Sequence, residues 1–141
     1  MKREGTTGED GPTTQSTIDP ARRAAALTRA VLGAASRLGV SGGLLAKILR
    51  TTDVSVARMQ AGAEVLPTGS KSSVRGELFV QLFHNLDATM DHVDEASRAW
   101  LNTNCLELEG RPINVIQTGE GLMKAVGYLS SKKRRPSAVE R

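Results

Sequence analysis

The sequence predicts an all-α fold, and three observations predict it. Apolar residues recur at spacings of three and four along most of the chain, and no stretch of five or more residues alternates as a half-buried strand would. Residues that favour helix N-caps also stand ahead of several of the apolar runs. A chain of 141 residues supports one domain, or two very small helical modules sharing one core.

The first helix opens at Asp19-Pro20, with Asp as N-cap and Pro at the first helical position. Leu27, Val31, Ala35 and Leu38 then form one stripe, and Gly39 ends it as a C-cap. Ser41 caps a short second helix to about Arg50, with Leu44, Leu45, Ile48 and Leu49 inward. Thr51-Thr52-Asp53 interrupts the pattern with turn and cap residues. A third helix is expected over 53–66, burying Val56, Met59, Ala63 and Leu66, and Pro67-Thr68-Gly69-Ser70 reads as a loop.

A long fourth helix is expected over 72–90, with Val74, Leu78, Leu82 and Leu86 as its seam beside Phe79, Phe83 and Met90. Asp94 is read as the cap of a fifth helix through Trp100 and Leu101, and 102–110 as irregular. Pro112 starts a short helix, and Thr118-Gly119-Glu120-Gly121 breaks it before a last helix ending near Leu129. Gly110 and Gly119 are expected at positive-φ turn positions, fixing a corner above a core anchored by Trp100.

The apolar fraction of 39% is slightly low, and the polar ends account for it. Residues 1–19 hold only Met1 and Ile18 as sizeable apolar groups, and 130–141 are similarly polar. Burial at either end cannot offset chain entropy, so both are expected to be disordered when alone. The expected organisation is a disordered segment 1–19, two helical regions 20–70 and 71–131, and a basic tail 132–141.

Two short helices joined by a three-residue turn and preceded by a supporting helix describe a helix-turn-helix within 20–70. On its second helix Ser55, Arg58, Gln60 and Ala61 are expected to face outward. Arg forks onto guanine, Gln onto adenine, and Ser onto a base or a phosphate. Lys47, Arg50 and Thr52, on the first helix and the turn, suit phosphates, which position a protein without reading sequence. The turn has Arg50 where many such motifs carry glycine. Gly42, Gly43 and Gly62 each weaken the pair by about 1 kcal/mol relative to alanine. The net charge of +4 is mild, but Arg37, Lys47, Arg50 and Arg58 face only Asp53 in this stretch, and Lys132-Lys133-Arg134-Arg135 forms a second cluster. A solvated face explains either cluster as well.

Nothing in the sequence supports catalysis. His84 and His92, eight residues apart, are over two helical turns from each other, too far to share a metal simply. Asp91, Asp94 and Glu95 read as caps and surface charge. Cys105 is the only cysteine, so no internal disulfide forms, and no paired histidine activates it. No apolar run approaches the roughly 18 residues of a membrane span, and the N-terminus has no signal-peptide core. The expectation is a cytoplasmic protein that is not an enzyme and has no metal or cofactor.

The string Arg98-Ala-Trp-Leu-Asn-Thr-Asn, followed by Leu108-Glu-Gly-Arg-Pro-Ile-Asn-Val-Ile-Gln-Thr-Gly-Glu-Gly and Ala125-Val-Gly-Tyr-Leu129, resembles the Xre/MbcA/ParS toxin-binding domain. Upstream, Leu45-Ala-Lys-Ile-Leu and Ser55-Val-Ala-Arg-Met resemble the Xre-type helix-turn-helix that precedes it in that family. Cys105 stands where family members often carry a Thr-Pro-Asn-like turn, and the glycine often found after the last helix is missing.

The resemblance implies an antitoxin: a homodimer that binds operator DNA and represses its own operon. Its partner would be a RES-domain toxin that consumes NAD, either degrading it or using it to modify a target, with the antitoxin covering the toxin's active site. The toxin contacts would be Arg111, Glu120, Lys124 and Tyr128, joined by Lys132, Lys133, Arg134 and Arg135 if the tail reaches the anion-binding cleft. Phe79 and Phe83 are read as part of a dimer or toxin interface, or as core. The alternative is a stand-alone helix-turn-helix regulator without a toxin; a third reading is an interaction protein whose helix-turn-helix has degenerated.

Overall fold

Capping chemistry sets most of the element ends. The computed structural model describes residues 19–140, with side chains as far as residue 132. Helix α1 spans Pro20–Leu38, its first turn closed by the Asp19 carboxylate, which accepts from the Ala21 amide. Gly39 ends it in the left-handed conformation, φ 71°. The Ser41 hydroxyl accepts from the Leu44 amide and starts α2, Gly42–Leu49. Thr52 does the same for α3, Asp53–Gln60, through the Ser55 amide at 3.0 Å.

Helix α3 stops six residues short of the expected end. Gly62 takes φ 80°, and the Ala63 amide reaches back to the Arg58 carbonyl at 2.8 Å, which closes the helix as a Schellman-type cap. Leu66 is buried all the same, from the loop rather than from the helix, while Ala63 is exposed. Its amide donates to the buried Thr28 hydroxyl at 2.9 Å, and that hydroxyl donates to the Ala24 carbonyl. One threonine thus ties the end of the helix pair to α1.

Helix α4, Lys71–Thr89, begins at Ser70, whose hydroxyl accepts from the Ser73 amide. It lies at the centre, packed on α1 and on the last helix. Its buried face is Ser73, Gly76, Phe79, Leu82, Phe83 and Leu86: Leu82 and Leu86 of the expected seam lie in it, but its N-terminal half turns Ser73 and Gly76 inward in place of Val74 and Leu78. Val74 is exposed and Leu78 only partly covered. Close approach to α1 explains the shift: a β-carbon at Gly76 would sit 3.0 Å from Leu66 and 3.2 Å from Val31. Phe79 and Phe83 are buried within the chain, so the core explanation holds for them.

Helix α5 spans Asp94–Leu101. Val93, not Asp94, takes the N-cap position, without a side-chain cap bond. The Asp94 carboxylate instead pairs with Arg37 of α1 at 3.0 Å, and Arg37 also lies 4.9 Å from the Phe83 ring centre. The hydrogen bond to Asp94 holds the Arg37 guanidinium above its ordinary pKa. Arg98 donates to the Arg37 carbonyl at 2.9 Å, satisfying a carbonyl left open at the end of α1. The two helix-end contacts fix α5 across α1.

Residues Cys105 and Gly110 pair as an isolated bridge around a 3-10 turn, Leu106–Leu108. Helix α6, Pro112–Val115, follows, and then α7, Gly119–Glu140. Gly119 is therefore the first residue of a helix, not a positive-φ turn, and the Thr118 hydroxyl caps it by accepting from the Gly121 amide at 3.0 Å. Helix α7 also continues past Leu129 into the polar tail, where disorder was expected. No glycine stops it there, and lysine and arginine are good helix formers. The rest of the basic cluster, Lys133, Arg134 and Arg135, has side chains outside the described residues, as does the N-terminal segment 1–18.

The described residues form an all-α fold of seven helices with no strand. One continuous cluster, from Val31 and Leu45 to Leu122 and Leu129, runs beneath both the helix pair and the C-terminal helices. No helix among the described residues is long and apolar enough to cross a membrane.

Candidate functional site

The α2–α3 pair turns on Arg50, which takes φ 61° and ψ 48°, the left-handed position that favours glycine. The Thr51 amide bonds the Ala46 carbonyl at 2.9 Å, closing the end of α2, and Thr52 then caps α3. Val56 and Met59 anchor α3 to the core. The opposite stripe is exposed at helical spacing: Val54, Ala57, Arg58 and Ala61.

Of the residues the sequence picks out on α3, Arg58 lies in the middle of that stripe, its guanidinium 3.9 Å from Glu64. Ser55 is partly buried on one flank. Gln60 is exposed on the other, leaning toward α2: a β-carbon at Gly42 would lie 3.8 Å from its amide nitrogen. Val54, 60% exposed, and Ala57 escaped the sequence reading, which picked out Ser55, Arg58, Gln60 and Ala61 on this helix. Apolar contacts of this kind suit thymine methyl groups, beside a single arginine suited to guanine or phosphate. Lys47 is exposed on α2, and the Thr52 hydroxyl, although exposed, is engaged in capping.

Arg37 does not belong to this basic surface, because Asp94 and Asp87 hold it on the α1–α5 side. Another cation takes its place. Arg75 of α4 donates to the Ile48 carbonyl at 3.0 Å and so covers the end of α2. Burial, and then the nearby Arg50 charge, push its pKa below the usual arginine value. A salt-bridged arginine would shift the other way. No carboxylate among the described residues lies within ion-pair distance of Arg50, Lys71 or Arg75.

The second candidate surface is on the C-terminal helices. Glu120, Met123, Lys124 and Gly127 form the exposed stripe of α7. Glu120 and Lys124 line a shallow groove with Leu108, Asn114, Val115 and Thr118, at the corner where α6 meets α7. That corner is close: a β-carbon on Gly121 would collide with the Val115 carbonyl oxygen. Further along α7, Tyr128 stacks on Trp100 with centroids 6.4 Å apart and planes within 9°, and the Lys132 ammonium sits 5.6 Å from the tyrosine ring centre. Arg111 is exposed at the start of α6 and does not line the groove. The structure thus brings the α7 candidates onto two neighbouring patches. Leu106, 82% exposed at the tip of the bridged turn, is a large apolar group the sequence reading did not single out.

Cys105 is buried, its thiol 3.6 Å from the Glu107 carboxylate. His92 contacts Asp87 at 2.7 Å. No group of histidine, cysteine or carboxylate side chains among the described residues could hold a metal ion. No family model matches the chain, and no curated protein matches it in sequence.

Proposed function

We propose that this chain is the antitoxin of a type II toxin–antitoxin pair, binding operator DNA through α2–α3 and a RES-domain toxin through α6 and α7. The observation that carries the reading is the α2–turn–α3 unit. Each helix is capped, the pair is anchored on one face, and Val54, Ala57, Arg58 and Ala61 are exposed on the other. A helix presented in this way fits a major groove, with Lys47 beside it for phosphates. The resemblance of the 98–129 segment to toxin-binding domains supports the second half of the reading. So does the exposed Met123 of α7 near an aromatic stack, since methionine and aromatic residues are enriched at protein interfaces. In this reading the protein acts in the cytoplasm and as a dimer, since one reading head of this size gains affinity on a palindromic operator by pairing.

Co-expression with the product of the adjacent gene, purified through a tag on that product alone, tests the reading. Co-purification in a fixed ratio, with growth restored, is expected; Glu120→Lys with Lys124→Glu should weaken capture without unfolding the chain. If the neighbour is not toxic, or does not retain this chain, the antitoxin reading fails. DNA binding is tested separately, by anisotropy on the upstream region at several salt concentrations. Affinity should fall steeply with salt, and Arg58→Ala should cost about 1–3 kcal/mol.

A further inference from the structure

A cleft of ≈ 400 Å³ lies between the N-terminal half of α4, the α2–α3 turn and the start of α7. It has two unlike walls. Arg50, Lys71 and Arg75 make one, and Val74, Leu78 and Met123 make the other. Val74 and Met123 are 53% and 62% exposed, large apolar groups left open beside three positive charges.

The cluster is not explained by the fold. Arg75 covers the end of α2, but one of its nitrogens suffices for the Ile48 carbonyl, and a guanidinium carries five donors. Among the described residues no hydrogen bond or ion pair ties the Arg50 or Lys71 side chain to the fold, and Arg50 occupies a backbone position that glycine would fill better. Bringing two guanidiniums and an ammonium to one concave surface without a carboxylate is unfavourable until an anion arrives. The backbone comes close there. Gly119 starts α7 directly against Arg75, and a β-carbon would meet the Arg75 Nη2 at 3.0 Å.

We propose that this cleft binds a small organic phosphate, the phosphate among Arg50, Lys71 and Arg75 and the apolar body of the ligand on Val74, Leu78 and Met123. Three cations lining one cleft suit a phosphate dianion better than a single carboxylate, and arginine forks pair with phosphate oxygens two at a time. The volume falls in the range of small-molecule pockets. A DNA backbone would leave the apolar wall without a partner, which favours a discrete ligand over an extension of the α3 surface. A ligand seated here touches the helix-turn-helix and the first turn of α7 together, so occupancy at one would be felt at the other. The inference stands on the cleft and does not require the antitoxin reading.

The test uses the full chain, isotope-labelled, with phenyl phosphate, inorganic phosphate and phenol as probes. Phenyl phosphate should move the Gly69 and Gly119 amide resonances saturably, with a Kd below about 1 mM. Inorganic phosphate and phenol should each bind at least about tenfold more weakly, since each supplies half of the contacts. Arg50→Gln with Lys71→Gln, both at exposed positions, should weaken phenyl phosphate by about tenfold or more. Met123→Glu should remove the advantage over inorganic phosphate. Arg75 is left in place because its loss would also uncap α2. Unmoved resonances at about 10 mM phenyl phosphate overturn the proposal. So does equal binding of inorganic phosphate, or an unchanged affinity in the double variant. Resonances that move with a DNA duplex and not with phenyl phosphate would assign the cleft to nucleic acid instead.

Discussion

Replacing Thr28 by valine keeps the shape and β-branching of the side chain and removes only its hydroxyl. That hydroxyl is buried, donates to the Ala24 carbonyl at 2.7 Å and accepts from the Leu66 amide at 2.9 Å. Loss of the first bond matters little, because the Ala24 carbonyl sits in a helix and has the ladder for a partner. Loss of the second strands a buried amide, which costs about 1–3 kcal/mol. The extra buried methyl returns about 0.8 kcal/mol at most. The unmet donor therefore wins, and Thr28→Val should lower stability by about 1–2 kcal/mol, roughly 5–30-fold in the folding equilibrium. Urea denaturation should show an earlier midpoint with the slope unchanged, and hydrogen exchange should speed up at the Leu66 amide. A variant as stable as the parent, or an equally protected Leu66 amide, would show that this threonine does not hold the helix pair to α1.

Three further outcomes are expected. Gly121→Ala drives a β-carbon into the Val115 carbonyl, which no rotamer change relieves, and should cost about 3 kcal/mol by thermal or chemical denaturation. Arg50→Gly should do the reverse, raising stability by about 0.5–1 kcal/mol through relief of the left-handed backbone, while weakening phenyl phosphate binding. A loss of stability there would mean that the arginine side chain supports the turn. Ser97 is fully buried with its hydroxyl unpartnered, so Ser97→Ala should stabilise by about 0.5–1 kcal/mol, read as a higher melting temperature.

Helix ends were legible where a side chain or a glycine closes them: Asp19, Gly39, Ser41 and Pro112 all act as their residue types dictate. The N-terminal half of the α4 seam was not. Two apolar stripes lie one step apart on that helix, and hydropathy weights Val74 and Leu78 above Ser73 and Gly76. The small residues face the core because α1 comes too close there for anything larger. Gly62 was legible as a weak point inside a helix but not as its stop, since only the backbone angle separates the two. Asp94 read as a cap because spacing cannot reveal an arginine 57 residues away. Arg75 went unnoticed for the same reason. Its importance comes from the end of α2, which the fold brings to it and the sequence keeps 27 residues distant.

Trp100 is the only tryptophan, and it lies flat against Tyr128 with Lys132 over the far ring. The chain therefore carries its own optical reporter at the junction of α5 and α7. Emission from that indole follows one place in the molecule, not an average over several. A partner settling on the last helix would change the quenching of a single fluorophore, so association there is measurable on the unlabelled protein.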